Sequence, residues 1–252
     1  MQLEQRTVRT SKGDIPLWGR FGQHDASRPV LLVIRGAFGG RDDWTILVSA
    51  FPQADVVLAH LPGMYTPFLD RSSVPDFAAA FDEVIARMFA NRRVVVMGLS
   101  IGGLVAMSLK AKEMAAVVAC DPPLSTIGLW PMRDKLREIV TSELVTPSLL
   151  AWVENIFGVT PRGEVNVDYR GVLGGTTVPT SIVVGGVPLE PERALAQFPS
   201  FVSSADREVL NACPGLEVML APDAGHNLAK TAAWLVVVAV NGAILTAQSQ
   251  IR

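Results

Sequence analysis

Three residue types in this chain could together perform acyl chemistry: a serine, a histidine and a carboxylate. Ser100 stands in the run Val94-Val95-Val96-Met97-Gly98-Leu99-Ser100-Ile101-Gly102-Gly103, and of three histidines His226 stands in Ala224-Gly225-His226. Asp121 follows Cys120 and precedes Pro122-Pro123. A serine hydroxyl attacks a carbonyl poorly unless an imidazole takes its proton, and a carboxylate must hold that imidazole in the right tautomer. The spacing Gly-x-Ser-x-Gly adds a geometric reason. Gly98 and Gly102 lack the Cβ atoms that would collide where the chain turns sharply from strand into helix, and that turn leaves the hydroxyl exposed. It also puts the backbone N–H of Ile101 at a helix N-terminus, where developing negative charge is favoured. Each group has a plainer reading as well. Ser100 could be a helix N-cap, Asp121 and Asp223 turn residues, and His226 a turn or core histidine; His24 and His60 keep the plain reading.

Such groups must be carried by strands that end on one edge of a sheet. Residues 94–97 read as a buried strand, and helical residues run from Leu104 to about Glu113. Continuous apolar runs at 30–34, 56–59 and 116–120 read as further strands covered on both faces; the strand pattern resumes at 180–184, and 216–220 is the last. Residues 5–22 alternate around Lys12-Gly13-Asp14 as an edge hairpin, a place that suits Pro16. Helices are expected over 44–51, 76–90 and 191–211; in the second, Phe77, Phe81, Val84, Ile85 and Met88 share one face. This alternation implies an α/β fold with a mostly parallel sheet of about eight strands covered by helices. Residues 124–177 break the rhythm with helices over 132–140 and 147–157 and no buried strand. The expected organisation is a core from 1–123 and 178–252 with a helical insertion at 124–177. The tail, 228–248, holds the apolar run 232–240, but Lys230, Asn241 and Gly242 interrupt it. A helix packed on the sheet is expected there, with no membrane span; partial exposure of that helix would favour a dimer contact, so the chain is read as a monomer or homodimer.

Composition narrows the function classes. Over 252 residues, 49% are hydrophobic and 18% charged, and the formal net charge of -2 carries no basic excess, so nothing points to nucleic acid. The polar opening Met1-Gln2-Leu3-Glu4-Gln5-Arg6 has no apolar segment after it, and the expected compartment is the cytoplasm. Cys120 and Cys213 offer neither a disulfide framework nor metal-ligand spacing and are read as reduced structural thiols. No cofactor or metal is implied.

The order serine, acid, histidine, with Gly-x-Ser-x-Gly on a strand–turn–helix and Gly225-His226 near the end, resembles the α/β-hydrolase fold family. The resemblance runs from about residue 15 to 247. It takes in Arg35-Gly36-Ala37-Phe38, similar to the family's His-Gly loop after the third strand, and Leu61-Pro62-Gly63, similar to its Leu-Pro-Gly turn after the fourth. It implies Ser100 as nucleophile, His226 as base, and backbone N–H groups of Ala37 and Ile101 as the oxyanion hole. Family members usually carry the acid after the seventh strand, where this chain has Glu190 and no aspartate; some carry it after the sixth, where Asp121 stands. Asp121 is preferred and Glu190 is the alternative. Arg35 departs from the family's histidine and is expected to brace the loop through Asp42 or Asp43.

The insertion falls where the family carries a lid over its site. Its Leu129, Trp130, Met132, Leu149, Trp152, Ile156 and Phe157 could simply pack it onto the body, yet they are numerous enough for some to line an apolar acyl pocket. Phe38, Trp130, Trp152 and Phe157 are the candidates. The resemblance therefore implies a serine hydrolase acting on a small-molecule ester or thioester with a modest apolar acyl group. Acyl transfer, C–C bond hydrolysis and non-catalytic ligand binding on the same scaffold remain the alternatives. Nucleotide binding at 36–40 is a weak reading, because the loop is not Gly-x-Gly-x-x-Gly and no Walker lysine follows.

Overall fold

A computed structural model describes residues 3–19, 21, 28–38, 49–194 and 196–251. Eight strands form one sheet: β1 (Glu4–Thr10), β2 (Gly13–Gly19), β3 (Val30–Ile34), β4 (Asp55–Ala59), β5 (Val94–Leu99), β6 (Met114–Cys120), β9 (Thr180–Gly185) and β10 (Leu216–Ala221). Their order is β1-β2-β4-β3-β5-β6-β9-β10. β1 and β2 form an antiparallel hairpin, β2 meets β4 antiparallel, and every other pairing is parallel. Pro16 is tolerated in β2 because the ladder to β4 covers only Leu17 to Gly19, leaving Pro16 paired on the β1 side alone.

The central strands β3 and β6 are buried at every residue, as continuous apolar runs require when both faces are covered. One face carries α1 (Val74–Met88) and α2 (Ile101–Ser108), whose apolar sides pack with Leu32, Ile34, Val94 and Val96. The other carries α7 (Ala233–Ser249), packed on Leu31, Val33, Val95 and Met97. Ser73 caps α1, its hydroxyl accepting from Asp76 N.

Segment 124–177 holds α3 (Trp130–Thr141), α4 (Pro147–Phe157), a two-residue hairpin of β7 (Val159–Thr160) and β8 (Gly163–Glu164), and a 3-10 turn at Arg170–Gly175. Its Leu129, Met132, Trp152, Ile156 and Phe157 are buried in the same core as the α1 face of the sheet.

Three expected helices differ. The second half of the 191–211 helix is α5 (Ser204–Ala212), started by the Ser203 cap on Asp206 N; residues 196–203 are irregular, with Pro199 unable to donate in a helix interior. α2 stops at Ser108 rather than near Glu113. Leu109 is extended, and Asp82 Oδ1 takes the N–H groups of Lys110 and Ala111 at 2.8 Å each. The tail divides at Ala232 into α6 (Leu228–Thr231) and α7. Of the helix expected over 44–51, residues 44–48 lie outside the described residues, while Ser49 and Ala50 are helical. Among the described residues no helix is long and apolar enough to cross a membrane.

Candidate active site

Ser100 sits between β5 and α2 at φ 55 and ψ -123, half-buried, and its side chain makes no capping hydrogen bond. An N-cap accepts from the helix it starts and has extended backbone angles; Ser100 does neither, which removes the plain reading. The two glycines are steric requirements. A Cβ on Gly98 would lie 2.1 Å from Gly102 O, and one on Gly102 would lie 2.4 Å from Ile34 O. The loop after β3 meets the same corner, since a Cβ on Gly36 would lie 2.9 Å from that of Ser100. Ala37 and Phe38 therefore follow directly from the point of contact with the elbow. Phe38, Ser100 and Asp121 all hold positive φ, three of the five non-glycine residues that do so among those described. Backbone strain of this kind persists only where surrounding packing over-determines it, and it gathers at functional sites.

Asp121, fully buried at the end of β6, takes four donors. Gly185 N (3.0 Å) and Ser200 Oγ (2.6 Å) bond Oδ1, while Phe201 N (2.7 Å) and His226 Nδ1 (2.7 Å) bond Oδ2. Such a carboxylate acts only as an acceptor. His226 lies in the turn after β10, its backbone N–H shared between the carbonyls of Phe198 and Pro199 at 3.1 and 3.2 Å. With Nδ1 committed to Asp121, Nε2 is the ring nitrogen left to accept a proton. No hydrogen bond joins Ser100 to His226 among the described residues.

The remaining expected residues are distributed as follows. Glu190 is exposed, and so is Asp223. His60 is buried between Trp18 and Tyr65, with ring centroids 5.5 and 5.2 Å away. Arg35 is buried, while Asp42 and Asp43 lie outside the described residues. Phe38, Trp152 and Phe157 form an aromatic triangle with centroids 5.9 to 6.1 Å apart. Trp130 is half-buried and donates Nε1–H to Leu189 O at 2.8 Å. Cys120 precedes the carboxylate, and burial together with the Asp121 charge pushes its thiol up to about 12, so it stays protonated beside the site. Among the described residues no cluster of three or more His, Cys, Asp or Glu side chains could hold a metal ion.

Trp152 is fully enclosed and ties α4 to the body by donating Nε1–H to Pro62 O at 2.9 Å. Trp152→Ala is expected to destabilise the fold by about 3–5 kcal/mol, and Trp152→Phe, which leaves the buried Pro62 carbonyl without its donor, by about 1–3 kcal/mol. Calorimetry measures both. Acyl-chain preference, read in parallel on Trp152→Phe, tells whether the ring also shapes the pocket: an unchanged preference leaves it as packing.

Sequence reasoning missed Ser200 and Phe201. Ser200 is fully buried on Asp121, and the Phe201 ring stacks on the His226 imidazole at 3.7 Å between centroids and 16° between planes. The signal was present in Phe198-Pro199-Ser200-Phe201, where a proline and then the Ser203 cap argue against a continuous helix.

Residues 30–243 match the model of the alpha/beta hydrolase family. Among solved structures the chain is similar to a thermophilic esterase from Thermogutta terrifontis, at 16% identity over 98% of this chain and 100% of that one, with a TM-score of 0.63. It is similar to a carboxylesterase from Bacillus subtilis at 16% identity over 96% and 91%, with a TM-score of 0.66. It is also similar to an N-formylmaleamic acid deformylase from Pseudomonas putida S16 at 14% identity over 94% and 100%, with a TM-score of 0.64. At these identities the likeness is one of fold. No curated protein matches the sequence.

Proposed function

Because the chain belongs to the alpha/beta hydrolase family, we propose that it is a serine hydrolase that cleaves a carboxylic ester or thioester with a modest apolar acyl group. The observation that carries this reading is the His226–Asp121 hydrogen bond of 2.7 Å, made at the same sheet edge as a serine held at positive φ with no capping role. In the proposed reaction Ser100 Oγ attacks the carbonyl carbon as His226 Nε2 takes its proton. Asp121 keeps the imidazole in the tautomer that can accept, and it stabilises the imidazolium that results. The backbone N–H groups of Ala37 and Ile101 stabilise the oxyanion. His226 then protonates the departing alcohol or thiol, leaving an acyl group on Ser100. Water, deprotonated by His226, attacks the acyl carbon, and release of the acid restores the serine. Segment 124–177 is the cap over this site, with Phe38, Trp130 and Phe157 facing the acyl chain and Trp152 behind them. The free thiols of Cys120 and Cys213 suit a reducing compartment such as the cytoplasm.

Fluorophosphonate labelling read by intact mass tests the proposal before any substrate is known. One adduct is expected on the protein and none on Ser100→Ala. A folded protein that takes no adduct, even when the probe carries only a small alkoxy group that a cap would admit, overturns the reading in favour of a ligand-binding member of the family.

A further inference from the structure

We propose that the strap from Phe198 to Val202 is a positioning device for the base and acid, in which the Phe201 ring holds the imidazole by its face and favours its protonated form, while Ser200 fixes the carboxylate. The inference rests on the catalytic reading given above and adds residues that the Gly-x-Ser-x-Gly pattern and the order serine, acid, histidine do not contain.

The strap touches the His226 backbone, the face of its ring and both oxygens of Asp121. The carbonyls of Phe198 and Pro199 receive the His226 backbone N–H, which sets where the residue sits. The Phe201 N–H and His226 Nδ1 converge on the same oxygen of Asp121, so the peptide carrying the stacked ring is fixed by the acid that its ring partner bonds. Ser200 Oγ accepts from Val202 N at 3.1 Å, which turns its own proton toward Asp121 Oδ1. The ring stack then restricts rotation of the imidazole about its bond to Cβ. A near-parallel aromatic face at 3.7 Å presents its negative quadrupole to the imidazole plane, an interaction that gains when the imidazole becomes a cation. The proposed reaction forms that cation in each of its two transition states.

The charged groups carried by the elements around His226, among the described residues, are few. Asp121 comes from β6, and Asp223 lies exposed in the same turn. Glu190, Glu192 and Arg193 belong to the loop after β9, Glu192 bonding Arg133. Lys230 is in α6, and Arg207 of α5 donates to Gly185 O while Gly185 N donates to Asp121; of the other charged groups on these elements, Asp206 of α5 is paired with Arg170, and Glu208 of α5 and Glu217 of β10 are exposed. Asp121 is the one member of this set that the strap itself bonds; the others keep their charge and place when Phe201 or Ser200 is changed, so a shift in the imidazole can be assigned to the strap and the carboxylate it holds.

The test follows the His226 ring directly, by NMR titration of protein carrying 13C-labelled histidine, with the His226 signal identified by its loss in His226→Gln. Pentafluorophenylalanine in place of Phe201 keeps the shape of the ring and reverses its quadrupole. It is expected to lower the His226 midpoint by roughly half a pH unit to one unit, a three- to tenfold loss of the protonated form at fixed pH. Phe201→Leu is expected to shift it the same way and Phe201→Tyr to leave it near the wild type. Ser200→Ala is expected to move it upward, because a carboxylate relieved of one donor stabilises the imidazolium more strongly. Opposite signs from two neighbouring substitutions are not what general loosening produces. The rate of fluorophosphonate attachment to Ser100, measured on the same samples, should fall three- to tenfold with the fluorinated ring. An unchanged His226 midpoint in the fluorinated protein overturns the inference. Midpoints that move as stated in a protein that no fluorophosphonate labels would uphold the strap and sink the hydrolase reading instead.

Discussion

Asp121→Asn is expected to slow acylation of Ser100 by about 10,000-fold, while Glu190→Gln leaves it within about twofold. The asymmetry follows from what surrounds each carboxylate. Glu190 is exposed, whereas both oxygens of Asp121 are filled, Oδ1 by Gly185 N and Ser200 Oγ and Oδ2 by Phe201 N and His226 Nδ1. An asparagine keeps the shape and turns one oxygen into a donor. With its amide nitrogen toward His226, Nδ1 must accept, the proton moves to Nε2, and the imidazole can no longer take the serine proton. With its nitrogen toward Gly185, the tautomer survives but a buried N–H faces a second donor. Either orientation leaves donors opposed, so the variant should also lose roughly 2–4 kcal/mol of stability. Labelling rate and calorimetry on the same preparations separate the two effects: a rate that falls only in proportion to the unfolded fraction would strip Asp121 of its role. A larger loss in Glu190→Gln would move the acid to the loop after β9.

Gly98→Ala is expected to yield little folded protein, and Gly242→Ala to be more stable than the wild type. At Gly98 the new methyl carbon would lie 2.1 Å from the carbonyl oxygen of Gly102 and 2.6 Å from Gly103 Cα, backbone atoms that no rotamer change can move. Relief would require opening the elbow between β5 and α2, which carries the central strand of the sheet; the cost should exceed about 4 kcal/mol, the exceptional end of single substitutions. At Gly242, inside α7, the same atom meets nothing within 4 Å. Alanine there gains about 1 kcal/mol of helix propensity, which corresponds to roughly 2–4 °C in Tm for a chain of this size. Soluble yield and thermal unfolding of the pair test whether space, rather than residue type, decides the outcome.

The contrast between these glycines also explains what was legible in the sequence. Strand positions were readable because β3, β5 and β6 are covered on both faces, and the solvent they exclude leaves a continuous apolar run as its trace. The elbow was readable because its steric demand falls on residues adjacent in sequence. The segment 196–203 was not. Its conformation is set by hydrogen bonds to a carboxylate some 80 positions earlier, a kind of determinant that leaves no local period; the apolar Phe198, Phe201 and Val202 then imitate a helix. Between Asp121 and Glu190 the sequence supported only a preference for Asp121, since both follow strands; the difference in burial and hydrogen-bond partners between the two carboxylates has no local trace. Trp152 was readable as apolar and large, but its donor bond to Pro62 lies 90 residues away.

The partners of Asp121 are separated from it by 64, 79, 80 and 105 positions. Contacts so distant along the chain are slow to close, and an ionised carboxylate resists leaving water until its donors arrive. Strand β6 can therefore join β5 well before the charge at its end is enclosed. During synthesis the elbow serine would be in place for more than a hundred residues before His226, its proposed base, is made. On the proposed mechanism, this order of assembly would act as a safety interval, leaving Ser100 unactivated on a nascent chain until the last strand and the turn after it have docked.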